Sequence, residues 1–226
     1  MNRSKRYRAV GEGMEPKKTY AIAEAIGLVK KGATAKFDES IEVHLHLGID
    51  PKKADQQIRS TTVLPNPTGR TLRIAVFANE ADQKKALAAG AALAGGAELI
   101  KEIKTTGKTD FDLALATPEM MRQLGPVAKI LGTKGLMPNP KNETVTTDVV
   151  KTLKDLQGGK IAFRSDDTGN IHQIIGKASF EPSVLEANIR AFVEAIKRAK
   201  PDASKGVFIR SITLTSTMGP GLRINL

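Results

Sequence analysis

Two segments of the chain combine lysine or arginine with glycine, proline and hydroxyl residues, and neither contains an acid. They span residues 126–141, PVAKILGTKGLMPNPK, and residues 210–226, RSITLTSTMGPGLRINL. Glycine lets a partner approach the backbone closely, and proline restricts the shape of a loop. Phosphate oxygens bind N–H donors, hydroxyls and positive charge, all of which these segments supply. The pattern therefore favours a nucleic-acid binder.

The carboxyl-terminal segment predicts a strand that runs into a turn. Apolar residues alternate with polar ones along 207–217, which anchors a strand and argues against a fraying terminus. The end of this strand offers hydroxyls, a thioether and open main chain. The candidate RNA-binding residues here are Thr215, Thr217, Met218 and Gly219.

In the other segment, lysines stand within or beside GTKGLMPNPK, residues 132–141. Such a charge run could be a solvated face. The interleaved glycines and prolines instead favour a shaped binding loop, since they restrict the backbone at several points.

A nucleotide-binding enzyme is the alternative from a different class. Gly107, Lys108 and Thr109 match the end of a phosphate-binding loop, but Glu102 stands where that motif needs glycine. The stretch 90–96, GAALAGG, lacks the GxGxxG spacing. We therefore predict no catalytic residue, no cofactor and no small-molecule substrate.

Histidines and paired carboxylates offer little further chemistry. His44 and His46 share one face of a predicted strand and His172 lies near a predicted turn, so a three-histidine metal site is conceivable. No thiolate is available to complete it, and a polar outer face explains the pattern better. Asp166 and Asp167 precede Thr168-Gly169 and are interpreted as turn formers.

Composition limits the partners and the compartment. The chain has 226 residues and a net charge of +11, which favours a polyanion, with general DNA binding as a third hypothesis supported by charge alone. Cysteine is absent, which fits the cytoplasm. We predict neither a membrane span nor a secretory signal.

Aromatic residues make up 4% and tryptophan is absent, so reading of RNA through a sheet of stacked bases is disfavoured. The basic amino end, MNRSKRYRAV, is either a solvated arm or an arm that touches RNA, and both interpretations stay open.

The elements that position these residues form two sets. The two ends predict an antiparallel sheet backed by helices: helix 19–33 with Thr19 as N-cap, strand 40–47, a loop with a short helix at 48–59, a hairpin of strands 160–164 and 171–177, helix 182–200 and strand 207–217. The middle alternates strands with helices and predicts parallel pairing: strands 72–78 and 111–116, and helices 80–92, 98–104, 118–124 and 147–156.

The predicted fold class is α/β (α+β) with two domains. A terminal-built antiparallel sheet with helices, of split β-α-β type, is formed by 1–67 and 159–226, and we predict that it carries the primary RNA-binding surface. A parallel α/β, Rossmann-like domain is inserted at 68–158. Proline-rich 63–69 and glycine-rich 157–159 are the predicted linkers.

Four ordered segments resemble the L-one family of bacterial large-subunit ribosomal proteins over essentially the whole chain. They are KFDESIEVHLHLGID at 36–50, GPVAKILGTKGLMPNPK at 125–141, FRSDDTGNIH at 163–172 and SITLTSTMGPGLRIN at 211–225. The resemblance implies a split two-domain protein of the cytoplasmic large ribosomal subunit. It also implies three RNA partners: large-subunit ribosomal RNA at the mobile stalk, deacylated tRNA leaving the exit site, and the protein's own messenger, whose translation it would repress.

The resemblance also implies particular contacts. The main RNA surface maps onto Phe37, Ser211, Thr217, Met218 and Gly219, with Lys36, Ser40 and Arg164 nearby. A second, weaker contact maps onto Thr133, Lys134 and Gly135 of the middle domain. Three places depart from the family pattern: Pro67 is expected to stiffen the first linker, Asp167 stands where a basic residue is frequent, and apolar residues replace acids near 91–97.

Overall fold

The computed structural model describes residues 4–15 and 18–225. The helices and strands, in chain order, are α1 Lys5–Gly11, β1 Thr19–Ala21, α2 Ile22–Gly32, β2 Ser40–Leu47, β3 Arg59–Val63, β4 Ile74–Phe77, α3 Glu80–Ala88, β5 Leu93–Gly95, α4 Ala97–Thr106, β6 Leu113–Ala116, α5 Pro118–Gln123, α6 Ala128–Thr133, α7 Val149–Gln157, β7 Lys160–Arg164, β8 Asn170–Lys177, α8 Pro182–Arg198, β9 Ile209–Ser216 and β10 Leu222–Asn225. Short 3-10 turns span Gly125–Val127 and Pro140–Asn142.

The chain divides into two compact units. The first, which we call the terminal unit, combines Met1–Gly69 with Ala162–Leu226, and the second, the inserted unit, is Arg70–Ile161. The mixed α/β class predicted from sequence is confirmed. No helix within the described ranges is long and apolar enough to cross a membrane.

A five-stranded sheet in the order β1-β10-β9-β2-β8 forms the terminal unit. Strand β2 was predicted with its observed bounds because its side chains alternate strictly: Ile41, Val43, Leu45 and Leu47 are buried, while the residues between them are partly exposed. Helices α2 and α8 pack beside the strands of this sheet. Their buried stripes include Ile26 of α2 and Phe192 of α8. One face of the sheet therefore closes the core and the other presents polar side chains.

Helix α2 begins at Ile22, so the predicted start with Thr19 as N-cap is wrong. Thr19–Ala21 instead form β1, in parallel register with 223–225 of β10. That pairing provides hydrogen-bond partners for backbone groups that would otherwise bond within the helix. Strand β10 was not predicted, because four residues are too few to show a clear alternation of apolar and polar side chains.

The predicted hairpin of 160–164 with 171–177 is also wrong. Strand β7 pairs with β3, whereas β8 pairs with β2. The turn between them does form as interpreted. Asp166 Oδ1 accepts hydrogen bonds from Thr168 N at 2.9 Å and Asn170 N at 2.7 Å, and Gly169 takes a positive φ of 78°. The predicted short helix within 48–59 does not form; the segment consists of turns before β3.

The inserted unit holds a parallel three-stranded sheet in the order β5-β4-β6. All four residues of β4 are buried because the strand has a core on each face: Ala75 and Phe77 face one, Ile74 and Val76 the other. The predicted helix 80–92 ends early, at Ala88, since Gly90 takes a φ of 95° and the chain then enters β5.

Candidate nucleic-acid interface

A tight turn after β9 carries the residues predicted at the carboxyl end. Gly219 N donates to Ser216 O at 3.1 Å, and Thr215 Oγ1 donates to Ser216 O at 2.9 Å. A β-carbon on Gly219 would lie 2.5 Å from Ser216 Oγ, so a larger residue there would displace that hydroxyl. Met218, at its tip, leaves 50% of its surface exposed. The Thr215 hydroxyl is thus committed to shaping the turn.

Glu39 joins this turn to the loop that carries Phe37. Its side chain is buried, and its two carboxylate oxygens accept from Ala35 N and Met218 N, both at 3.0 Å. The first bond closes the loop around Phe37, whose surface is 55% exposed. One buried acid therefore holds two exposed apolar side chains in place. We call the group of Phe37, Thr217, Met218 and Gly219, of which the first three are exposed, the apolar tip.

The environment of Glu39 keeps it ionised. Burial raises the pKa of its carboxyl, but the Ser216 hydroxyl, the amides of Ala35 and Met218 and the Arg6 guanidinium outweigh burial. The pKa lies below its ordinary value as a result.

Hydrogen bonds between Thr217 and Ser40 join the end of β9 to the start of β2. Thr217 Oγ1 accepts from Ser40 N at 3.0 Å and lies 3.3 Å from Ser40 O, to which it donates. Lys177 Nζ donates to Ser40 Oγ at 2.9 Å. Both hydroxyls thus have partners inside the protein, and each keeps one acceptor lone pair for an RNA donor.

Ser211 lies at the other end of β9. It pairs in register with His46, whereas Ser216 pairs with Ile41. Six residues separate Ser211 from Thr217, which is about 20 Å along a strand. Strand β9 lies between β10 and β2, so the candidate residues extend along an open face of the sheet rather than along an edge strand.

Polar side chains line this open face between the apolar tip and Ser211. They are Glu42, His44 and His46 of β2, Ser211, Thr213 and Thr215 of β9, and His172 of β8. Histidines 44 and 172 are joined by a 2.7 Å contact between their Nδ1 atoms. Burial and the nearby His172 lower the pKa of His44, while Glu42 opposes the shift. No three metal-binding side chains come together within the described residues.

Two of the predicted cations, Lys36 and Arg164, are exposed. Lys36 stands beside Phe37, and Arg164 ends β7. Neither has a hydrogen-bond or ion-pair partner among the residues that the structure describes. They offer positive charge that the protein does not itself neutralise.

The lysine-rich segment of the inserted unit is more helical than predicted. Lys129 lies in α6, Thr133 Oγ1 donates to Lys129 O at 3.0 Å, and Gly135 follows with a φ of 70°. Lys134 Nζ donates to Thr109 Oγ1 at 2.8 Å and to Gly107 O at 3.2 Å.

That contact bears on the enzyme alternative. Gly107 ends α4 in a left-handed conformation, with a φ of 66°. The segment 107–109 thus terminates a helix and binds a lysine of its own chain, whereas a phosphate-binding loop opens a helix after a strand.

Sequence reasoning missed two residues of this interface, Glu39 and Arg6. Arg6, in α1, donates to Met218 O at 2.9 Å. Neither position carries a spacing signal, because the contacts join residues 179 and 212 positions apart.

The chain is similar to known proteins over nearly its whole length. The model of the ribosomal protein L1p/L10e family matches residues 29–220. The chain is 50% identical to large ribosomal subunit protein uL1 of Protochlamydia amoebophila, covering 99% of this chain and 94% of that protein. The protein of the same name from Mycoplasma capricolum is 50% identical, over 98% and 97% of the two chains. The one from Clavibacter michiganensis is 46% identical, over 100% and 99%.

Proposed function

Because the chain belongs to the ribosomal protein L1p/L10e family, we propose that its terminal unit binds large-subunit ribosomal RNA through the apolar tip and the open sheet face. Family membership makes the chain a structural constituent of the large ribosomal subunit and not an enzyme. The resemblance noted from sequence is thereby confirmed.

The apolar tip is the observation that supports the proposal most strongly. A methionine and a phenylalanine are exposed on a turn and a loop that one buried carboxylate holds in place. Beside them, main-chain groups and hydroxyl lone pairs can meet ribose and base edges in a shallow RNA groove. The apolar side chains exclude water from those hydrogen bonds.

Charge on the same unit supports an RNA partner. Lys36 and Arg164 are exposed cations without a partner among the described residues. Two acids belong to the same loop: Glu39 is buried beneath the tip, and the exposed Asp38 accepts hydrogen bonds from Ser179. A phosphate backbone would therefore meet positive charge beside the apolar tip, at Lys36, and elsewhere on the same unit, at Arg164.

Finer roles follow from the same proposal. We assign the terminal unit to the RNA of the mobile stalk and to a similar structure in the protein's own messenger, whose translation it represses. We assign Thr133, Lys134 and Gly135 of the inserted unit to a weaker contact with deacylated tRNA leaving the exit site. These exposed residues end α6 and begin the turn that follows.

Cross-linking the full chain to RNA in cells tests the proposal. The expected result is cross-links from peptides that contain Phe37 and Met218 to one large-subunit region, with fewer to tRNA and the messenger. Competition at fixed salt with structured RNA and with duplex DNA distinguishes a general DNA binder. Equal displacement by both, or cross-links confined to other surfaces, would contradict the proposal.

A further inference from the structure

The amino-terminal helix α1 lies against the apolar tip. Besides its bond to Met218 O, Arg6 donates to Thr34 Oγ1 at 3.3 Å and approaches Glu39 Oε1 at 3.9 Å. Both main-chain polar groups of Met218 are thus held, the amide by Glu39 and the carbonyl by Arg6. The Arg6 guanidinium donates to acceptors within the protein. It therefore positions α1 and the turn, and the neighbouring residues are the ones placed to contact RNA.

A cleft of about 400 Å³ opens between α1 and the turn. It is lined by Ser4, Arg6, Tyr7, Thr217, Met218 and Gly219. The lining combines an aromatic ring and a thioether with hydroxyls and main chain, which is the chemistry that receives an unstacked RNA base.

The charge of α1 favours the same ligand. The helix, KRYRAVG, contains three cations and no acid. Lys5 and Arg8 are exposed, and Lys5 has no partner within the described residues. Tyr20, the only other tyrosine of the chain, is buried in the core. An aromatic ring beside exposed cations is the usual device by which proteins hold single nucleotides.

We propose that this cleft binds one unstacked nucleotide of the RNA, with its base stacked on Tyr7 and its phosphate neutralised by Lys5. The inference rests on the proposed RNA-binding function. It extends the interface from the sheet onto α1, and makes the amino end a wall of the site.

The affinity of full-length variants for a fragment of large-subunit ribosomal RNA from the mobile stalk, called the large-subunit RNA fragment below, tests the proposal for this cleft. Tyr7→Ala should weaken binding on the order of tenfold, because loss of one stacked base has about that effect. Tyr7→Phe restores the ring and should recover most of the loss. The unfolding midpoint of each variant shows whether a weaker affinity reflects a damaged fold.

Lys5→Ala supplies a second, independent readout. The slope of log affinity against log salt should fall by about 0.7–0.9 if Lys5 meets a phosphate. Lys151→Ala, which removes an exposed lysine from α7 of the inserted unit, is the matched control and should leave the slope unchanged.

The outcomes separate this inference from the proposed function. Failure of the unmodified chain to bind the RNA would refute the proposed function itself. Normal binding by that chain together with undiminished binding by Tyr7→Ala would overturn the cleft alone. Equal losses in Tyr7→Ala and Tyr7→Phe would overturn base stacking, and an unchanged salt slope in Lys5→Ala would remove the phosphate contact.

Discussion

Glu39 shows how a buried residue can hold the shape of a candidate binding surface. Its two oxygens bind the Phe37 loop on one side and the Met218 turn on the other, from a position without solvent exposure. Arg6 adds a cation that offsets part of the cost of burying the charge. The exposed residues of the apolar tip therefore depend on two residues behind them.

Glu39→Gln is expected to destabilise the protein by about 2 kcal/mol at neutral pH, since an amide cannot accept from both backbone N–H groups as an ionised carboxylate does. Guanidinium unfolding of the full chain measures this. Glu24→Gln, on the exposed surface of α2, is the control and should change stability by less than about 0.5 kcal/mol.

The effect of Glu39→Gln should also depend on pH. The folded pKa of Glu39 lies below its ordinary value, so the carboxylate contributes its full stability above the unfolded pKa and loses it as pH falls through the folded pKa. The stability difference between unmodified chain and variant should narrow below about pH 4. A difference that widens in acid would show that Glu39 acts in its protonated form.

At the scale of elements, the spacing of apolar residues was sufficient to predict a strand or helix that buries one face whatever its neighbours are. Strand β2 and helix α8 follow their apolar spacing because each buries one face regardless of its partners. The structure of the other segments depended on strands that are distant in sequence. Thr19–Ala21 became a strand because β10 was available to pair, and β7 left the predicted hairpin because β3 lay beside it.

The candidate site also contains residues that could be predicted from the sequence and residues that could not. Turn and loop positions such as Met218, Gly219 and Phe37 were identifiable from composition and family resemblance, and the structure leaves Met218 and Phe37 exposed and Gly219 partly exposed. The residues that hold them were not identifiable, because no spacing in the chain relates Arg6 or Glu39 to Met218. Whether these positions contact RNA stays a prediction.

Helix α2 offers a test of element stability that leaves the interface untouched. Gly27 lies within this helix, and a β-carbon there would meet nothing within 4 Å. Gly27→Ala should stabilise the protein by about 0.5–1 kcal/mol, since alanine restricts the unfolded backbone and favours helix. Thermal unfolding measures the gain, and RNA affinity should stay the same; a loss of stability would mean that the helix packs more tightly there than the structure indicates.

At the scale of the whole molecule, a net charge of +11 attracts RNA to either unit without discriminating between them. The cations differ in whether they already have hydrogen-bond partners within the protein. Arg164 of the terminal unit has no partner among the described residues, whereas Lys134 of the inserted unit donates to Thr109 and Gly107. The charge of Arg164 is thus more available to a phosphate than that of Lys134.

Arg164→Ala should therefore lower the salt slope of binding to the large-subunit RNA fragment by about 0.7–0.9. Lys134→Ala should lower it by less, because that ammonium already has protein acceptors. Titrations at several salt concentrations measure both slopes. A larger effect for Lys134→Ala would transfer the main RNA surface to the inserted unit.

The most direct measurement compares Met218→Asp with Leu87→Asp for affinity to the large-subunit RNA fragment. The two side chains are similarly exposed, at 50% and 52%, and Leu87 lies on α3 of the inserted unit. Each variant adds one negative charge, so the general electrostatic effect is matched. We predict that Met218→Asp weakens binding by at least about tenfold, because an unpaired carboxylate would have to be desolvated against phosphate. Leu87→Asp should stay within about twofold of the unmodified chain, and equal affinities for the two variants would contradict an interface at the apolar tip.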